Sequence, residues 1–244
     1  INEIAAGEVI ERPVAVVKEL IENSIDSKAS NISINILSGG LSKIIVSDNG
    51  NGIDKKYLEI SVDKHTTSKL SNESLSNIQT LGFRGEALNS ISHASEFTII
   101  SRNDSSTEAY MLKISYGIKA RLMPSKGNIG TTVKVESLFK NLPVRKKFLK
   151  SEKSENIAIK NLIKKVSLTH PKVTFIFLEE DKVRFKLLGR KEINGLDKRV
   201  LEIFGESFIK SSFYAEKIYT NFQIKIFASI PTFNKSNWSL TTII

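Results

Sequence analysis

The sequence predicts an α+β protein: a two-layer α/β sandwich with a mixed sheet, followed by the start of a second, smaller α/β domain. Three observations predict it. Short segments alternate apolar and polar residues, most clearly Ile32, Ile34 and Ile36, which is the signature of half-buried strands. Two longer stretches, 13–29 and 155–169, place their apolar residues at helical spacing. The strands and helices do not alternate as a regular βαβ repeat would require, so helices packed on one face of a mixed sheet are expected.

Taken in order, residues 2–7 read as a short helix, and Pro13 stands where a first-turn proline is tolerated, opening the helix to about Ala29. Strands are expected around 32–36 and 44–46, separated by the turn residues Gly39 and Gly40. Asp54 can cap a following helix with its carboxylate. Residues 65–85 are polar, Ser/Thr-rich and glycine-punctuated; a connection of that length in a compact domain tends to be functional. A helix over 86–92 precedes strands near 97–101, 110–115, 120–123 and 132–135. The basic helix at 155–169 sets Ile159, Leu162, Ile163 and Val166 on one side, and 172–178 with 182–188 read as a strand pair. Residues 189–195 are the expected linker. Beyond it a helix carrying Leu196, Val200, Leu201 and Phe204 stops at Gly205, and 213–219 with 223–230 resemble the first strands of an incomplete second unit. The predicted domains are therefore 1–190 and a partial one at 191–244.

Composition narrows the function. The chain has 244 residues, 40% of them hydrophobic and 25% charged, enough to bury a core. It contains no cysteine, which excludes a disulfide framework, a thiolate metal site and a cysteine nucleophile, and fits a reducing compartment. His65, His93 and His170 are scattered and suggest no transition-metal site. No apolar run approaches the roughly 20 residues that span a bilayer, so no membrane partner is expected. Thirty-six Lys and Arg against 26 Asp and Glu leave +10, which suits a polyanionic partner as well as it suits a lysine-rich solvated surface. Residue 1 is Ile, and the sequence reads as a piece of something longer.

Four elements could carry chemistry. On the first long helix Glu19, Glu22, Asn23 and Asp26 share one face, opposite Val16, Val17, Leu20, Ile21 and Ile25. This is either a solvated acidic side or a carboxylate that activates water beside an amide oxygen that ligates Mg²⁺, and spacing leaves Glu19 and Glu22 equally eligible as base. Asp48-x-Gly50-x-Gly52 at a strand end could accept hydrogen bonds from an exocyclic amine such as that of adenine, its glycines admitting a flat ring. An Asn-Gly turn is the plain alternative, and a calcium loop fails because glycines replace two of its ligands. Gly82-Phe83-Arg84-Gly85-Glu86-Ala87-Leu88 leads glycines into a helix N-terminus, an anion-attracting arrangement, with the hydroxyls and ammonium of Thr67-Ser68-Lys69 upstream. Gly130-Thr131-Thr132 turns into a strand. Neither a P-loop nor a dinucleotide fingerprint is present.

Singly these signals are modest; in this order they resemble the GHKL ATPase superfamily, whose members include type II topoisomerase ATPase subunits, heat-shock chaperones, histidine kinases and MutL. Three stretches select the MutL family: IAAGEVIERPVAVVKELIENSIDS at 4–27, DNGNGI at 48–53 and LGFRGEALNSIS at 81–92. HTTSKL, GTTV and NLPVRKKFLK support the choice. The likeness runs to about Arg199. It implies a Bergerat-type sandwich that binds ATP with Mg²⁺ and hydrolyses it slowly. Glu19 would be the general base, Asn23 the Mg²⁺ ligand, and Asp48 the reader of the adenine amine, supported by Thr131 and lined by Gly50 and Gly52. Thr67, Ser68, Lys69 and residues Gly82, Phe83, Arg84, Gly85, Glu86, Ala87 and Leu88 would form a lid around the triphosphate.

The resemblance further implies ATP-driven dimerisation, as a homodimer or with a paralogue. It implies non-specific DNA binding and relay from a MutS-type mismatch recognition protein to nuclease and helicase steps, in the bacterial cytoplasm at the nucleoid, or in a nucleus if eukaryotic. Arg145, Lys146, Lys147 and Lys150 with Lys160, Lys164 and Lys165 are the candidate DNA patch, whose plain alternative is a solvated helix face and local packing. Competing functions are another GHKL ATPase such as a topoisomerase subunit, and a basic DNA-binding scaffold with an inactive nucleotide site. The pattern departs at Lys28, where the family ends the helix with glycine, so a left-handed cap there would be strained. An arm before Ile1, the lysine that reaches the γ-phosphate and the C-terminal dimerisation region are also missing. Nucleotide binding should therefore survive better than turnover.

Overall fold

Successive side chains of a strand point to opposite faces, so Ile32, Ile34 and Ile36 must share one. In the computed structural model, which describes residues 10–64, 86–192, 195–220 and 223–230, that face is the core. Helix α1 (Pro13–Asp26) leads to β1 (Asn31–Leu37), β2 (Lys43–Asp48) and the single-turn helix α2 (Lys55–Leu58). Helix α3 (Ala87–His93) follows, then β3 (Glu96–Arg102), β4 (Ala109–Ser115), β5 (Ile118–Lys119), β6 (Met123–Ser125) and β7 (Gly130–Glu136). Next come α4 (Pro143–Lys147), α5 (Glu152–Thr169), β8 (Thr174–Glu179) and β9 (Lys182–Leu187). The last described elements are α6 (Gly195–Phe204), α7 (Glu206–Lys210), β10 (Ser212–Ile218) and β11 (Gln223–Ser229).

Nine strands form one mixed sheet in the order β5-β4-β3-β7-β2-β1-β8-β9, with β6 beside β4; β10 and β11 pair separately. Its one parallel junction among the described residues joins β1 to β8. Cross-strand registers line up Leu112, Ile99, Val133, Val46, Ile34, Phe177 and Phe185 in an apolar row across the sheet. Helices α1, α3 and α5 supply Val16, Val17, Leu20, Ile21, Ile91, Ile159 and Ile163 to the same core. The opposite face presents half-buried Ser33, Asn35, Thr98 and Lys134, which is how an antiparallel sheet covered on one side reads. None of the described helices is long and apolar enough to cross a membrane.

The expected strand at 120–123 forms differently. Tyr116 (φ 44°) and Gly117 (φ 89°) make a two-residue turn of the kind that matches strand twist, so pairing resumes at once with Ser115 opposite Ile118. The chain then leaves the ladder and returns as β6, where Pro124, lacking an N–H, occupies an outer strand. The expected linker is also anchored: the Gly189 amide donates to Thr174 Oγ1 (2.8 Å) and the Arg190 amide to the Pro171 carbonyl (2.7 Å). Arg199 of α6 is fully buried, and its Nη2 donates to the carbonyls of Pro171, Val173 and Leu188. Around it Leu168, Val200 and Phe208 form a second, smaller apolar cluster. The helix expected at 2–7 lies outside the described residues.

Helix α1 ends in a Schellman motif: the Lys28 amide bonds the Ile25 carbonyl (2.8 Å) and the Ala29 amide the Ser24 carbonyl (3.1 Å). Its left-handed position is Lys28, at φ 64°, as the missing glycine foretold. A side chain there costs on the order of 1 kcal/mol, since Cβ crowds the following carbonyl. Lys28→Gly is expected to raise stability by about 1 kcal/mol, a gain of roughly 2–4 °C in melting temperature for a chain of this size. Calorimetric melting checks it, and an unchanged or lower midpoint would show that the relief of strain does not exceed the entropy that glycine adds to the unfolded chain.

Candidate active site

The site begins where β2 ends. Asp48 is the last residue of β2, placed beside α1 by packing and beside the start of β7 by antiparallel pairing. Its Oδ1 accepts from the Gly50 amide (2.9 Å) and the Thr131 amide (3.2 Å), while Oδ2 lies 2.8 Å from Ser24 Oγ on α1. One carboxylate thus joins a helix, a turn and a strand. Burial pushes the Asp48 carboxyl above the ordinary carboxylate range, and the bonds from Gly50, Ser24 and Thr131 pull it back only in part.

The glycines are needed here by the protein's own packing. Gly50 lies against the C-terminal turn of α1: a Cβ would stand 2.0 Å from Ser27 Oγ, and the neighbouring Asn51 amide donates to the Ser27 carbonyl (2.8 Å). Gly52, at φ +68°, would drive a Cβ to 2.0 Å from the Arg102 carbonyl oxygen. The turn is therefore pressed onto α1 on one side and onto the end of β3 on the other.

Helix α1 brings Glu19, Glu22, Asn23 and Asp26 to one partly exposed face, with Asn23 adjacent to Ser24, the Asp48 partner. Glu22 is held by Lys18 at 3.0 Å, whereas Lys18 stands 3.8 Å from Glu19. Asn23 offers one hard amide oxygen; a Mg²⁺ ion held by a single protein ligand completes its shell with phosphate oxygens and water, so the donor set fits that metal. Glu86, Ala87 and Leu88 are half-buried at the start of α3, and Leu88 packs against the core. Thr67, Ser68, Lys69, Gly82, Phe83, Arg84 and Gly85 lie outside the described residues.

Two site residues escape a reading of the sequence. Ser24 hides between Asn23 and Ile25, on the buried side of the polar stripe. Ser101 is inward-facing and 2% exposed; its Oγ accepts from the Ile53 amide (2.8 Å) and lies 2.8 Å from Thr131 Oγ1. Its one local signal is a small polar residue completing the inward series Phe97, Ile99, Ser101.

The basic residues separate into two groups. Lys146, Lys147, Lys150 and Lys165 are exposed and Lys164 is half-buried. Arg145 and Lys160 are engaged inside the fold: Arg145 Nη1 donates to the Ile10 carbonyl (2.5 Å), and Lys160 pairs with Glu179 (2.8 Å), which also takes Arg184 (2.9 Å).

The profile of the histidine kinase-, DNA gyrase B- and HSP90-like ATPases matches residues 11–142. A solved structure described as the Aquifex aeolicus MutL ATPase domain complexed with ADP is similar over 94% of this chain and 80% of that one, at 32% identity and a TM-score of 0.74. The chain belongs to this ATPase family, on its MutL branch. Among MutL-branch sequences, the DNA mismatch repair protein MutL of Rickettsia bellii (strain OSU 85-389) is 41% identical over 239 residues, and that of Rickettsia prowazekii (strain Madrid E) is 43% identical over the same length. These alignments cover 97% of this chain, which spans 39% and 40% of the respective relatives. The two-layer architecture and mixed sheet expected of the family are those described above.

Asparagine suits the position of Asp48 as a shape. Its Oδ1 can keep the Gly50 and Thr131 amides, and its Nδ2 can donate to Ser24 Oγ, whose proton then turns to the Leu20 carbonyl 3.0 Å away. Because the folded-state pKa of Asp48 is raised, its contribution to stability falls as pH rises from the ordinary carboxylate range through that raised value. Without nucleotide, Asp48→Asn should therefore match or exceed the parent in melting temperature at pH 7. The gap should close as pH falls into the carboxylate range. A deficit that widens as pH rises through the carboxylate range would show that the three hydrogen bonds outweigh the cost of burial.

Proposed function

We propose that this chain is the N-terminal ATP-binding and ATP-hydrolysing region of a MutL-type DNA mismatch repair protein. One observation carries the reading: a desolvated carboxylate, Asp48, fixed by three donors at the end of a strand, in a chain of this ATPase family. Such a carboxylate accepts from an exocyclic amine and repels a carbonyl oxygen in the same place, so it selects adenine over guanine. Thr131 supports it, and Gly50 and Gly52 shape the turn beside the base. Glu19 is the base that takes the proton of the attacking water. The family likeness favours Glu19 over Glu22 for that task. Asn23 would hold Mg²⁺, which neutralises phosphate charge when bound. Thr67, Ser68, Lys69 and the stretch from Gly82 to Leu88 would enclose the triphosphate as a lid.

In the whole protein, nucleotide-driven dimerisation with itself or a paralogue would relay a signal from a MutS-type partner to nuclease and helicase steps, in the cytoplasm at the nucleoid. Residues 1–190 would form the ATPase domain and 191–244 the opening of the next. Non-specific DNA contact falls to the exposed Lys146, Lys147, Lys150 and Lys165 with Lys164; Arg145 and Lys160 would act mainly by holding the segments beneath them.

Calorimetry with a non-hydrolysable ATP analogue and Mg²⁺ tests the nucleotide site. The parent and Glu19→Ala should bind it and Asp48→Asn should not, while turnover in Glu19→Ala falls by about 10²- to 10⁴-fold. Undiminished turnover in that variant would transfer the base role elsewhere. For DNA, log affinity should fall linearly with log salt. The triple change of Lys146, Lys147 and Lys150 to alanine should flatten that slope by about 1 for each phosphate left without its cation. An unaltered slope would remove these lysines from the interface.

A further inference from the structure

Residues one turn apart on a helix are neighbours, whereas adjacent residues point in diverging directions. Lys18 of α1 has an acidic residue in each relation: Glu22 one turn on and Glu19 next in the chain. Its Nζ lies 3.0 and 3.1 Å from the two oxygens of Glu22, but 3.8 Å from Glu19 Oε1, a length at which little of a hydrogen bond remains. The Lys18 ammonium is held above the ordinary lysine range. Burial works to lower it, and the bond and charge of Glu22 overcome that more than those of Glu19 do. Glu22 is the less exposed of the two side chains, 13% against 29%, so solvent screens its attraction less.

As a device for stability this pair is poor. A glutamate four residues before a lysine is the favourable order on a helix; here the lysine comes first and is half exposed, so the pair adds little. Its consequence for chemistry is larger. A general base must offer water a lone pair, and an ammonium bonded to the carboxylate takes that lone pair and weakens the base. Lys18 precedes Glu19 directly, so distance along the chain cannot keep this cation away. Only another anion within its reach can hold it, and Glu22 stands where the helix brings one.

We infer that Glu22 is a positioning residue for ATP hydrolysis: it retains the Lys18 ammonium one turn along α1 and so keeps that cation from pairing with Glu19. The inference rests on the reading of Glu19 as the base. Glu22 acts through Lys18 and takes no part in proton transfer itself. With the charge of Glu22 removed, rotation about the bonds of the lysine stem alone closes the 3.8 Å gap to Glu19. The base is then still in its place on α1, but engaged.

The test measures turnover at saturating ATP and Mg²⁺, with calorimetric affinity for a non-hydrolysable ATP analogue, in the parent, Glu19→Ala, Glu22→Gln, Lys18→Met and the Glu22→Gln/Lys18→Met double variant. Glu22→Gln keeps the shape of the side chain and removes its charge. Its turnover should fall by about three- to tenfold, while its affinity for the analogue stays within about twofold of the parent's. Lys18→Met alone should not lower turnover. In the double variant turnover should return to within about twofold of the parent's, because the cation that engages Glu19 is gone. A merely structural Glu22 would not be mended by removing the other half of its ion pair, so low turnover in the double variant overturns the proposal. Parental turnover in Glu22→Gln overturns it as well. If Glu22→Gln falls as far as Glu19→Ala and Lys18→Met does not restore it, Glu22 takes the proton itself and the proposal is wrong. Undiminished turnover in Glu19→Ala shows instead that the reading of Glu19 has failed, and the proposal falls with it.

Discussion

Burying a carboxylate is unfavourable unless its oxygens are met by donors, and the geometry around Asp48 answers that constraint. The donors come from Ser24 on α1, the Gly50 amide in the turn and the Thr131 amide at the head of β7. Each must arrive at a fixed place, so the seating of α1 on the sheet, the path of the turn and the register of β7 against β2 all meet at one carboxylate. Because burial raises its pKa, the ionised form of Asp48 makes the fold less stable than a neutral group of the same shape would.

Much of this was legible in the sequence because it is local. The polar stripe of α1, the alternation of β1, the Asp-x-Gly-x-Gly turn and the lysine in the position of a capping glycine are all patterns within a few residues. What was illegible is long-range. Nothing near Arg145 announces that its guanidinium holds the Ile10 carbonyl, and nothing near Lys160 announces Glu179. Arg199 reads as an ordinary helix-surface cation, yet three carbonyls from two segments converge on it. The role of the glycines shifted for the same reason. The sequence suggests room for a flat ligand, whereas the contacts at Gly50 and Gly52 are with Ser27 and Arg102 of the protein itself.

The two cations at the start of α1 give the helix a second fixed point. Arg12 sits 3.1–3.2 Å from Glu155, whose side chain is fully buried on α5, and Arg145 reaches Ile10 two residues earlier. With Ser24 tied to Asp48 near the other end, the face bearing Glu19 and Asn23 is clamped between an ion pair and a hydrogen bond. Side chains on such a helix gain position from its ends, so the placing of Glu19 and Asn23 is set partly by residues distant from them.

The pairing of β1 with β8 joins residues 31–36 to 174–179. The match to the ATPase family profile ends at residue 142, before β8 begins. Until the chain as far as β8 has been made, β1 has an open edge with unpaired amides and carbonyls, and Ile32, Ile34 and Ile36 lack part of their cover. A closure of that sequence separation comes late in folding. On the ribosome, the stretch that the family profile matches would emerge first and wait, unable to complete its own sheet. The stretch that the family profile matches is thus shorter than the sheet it belongs to, and the difference includes the strand that closes the edge of β1.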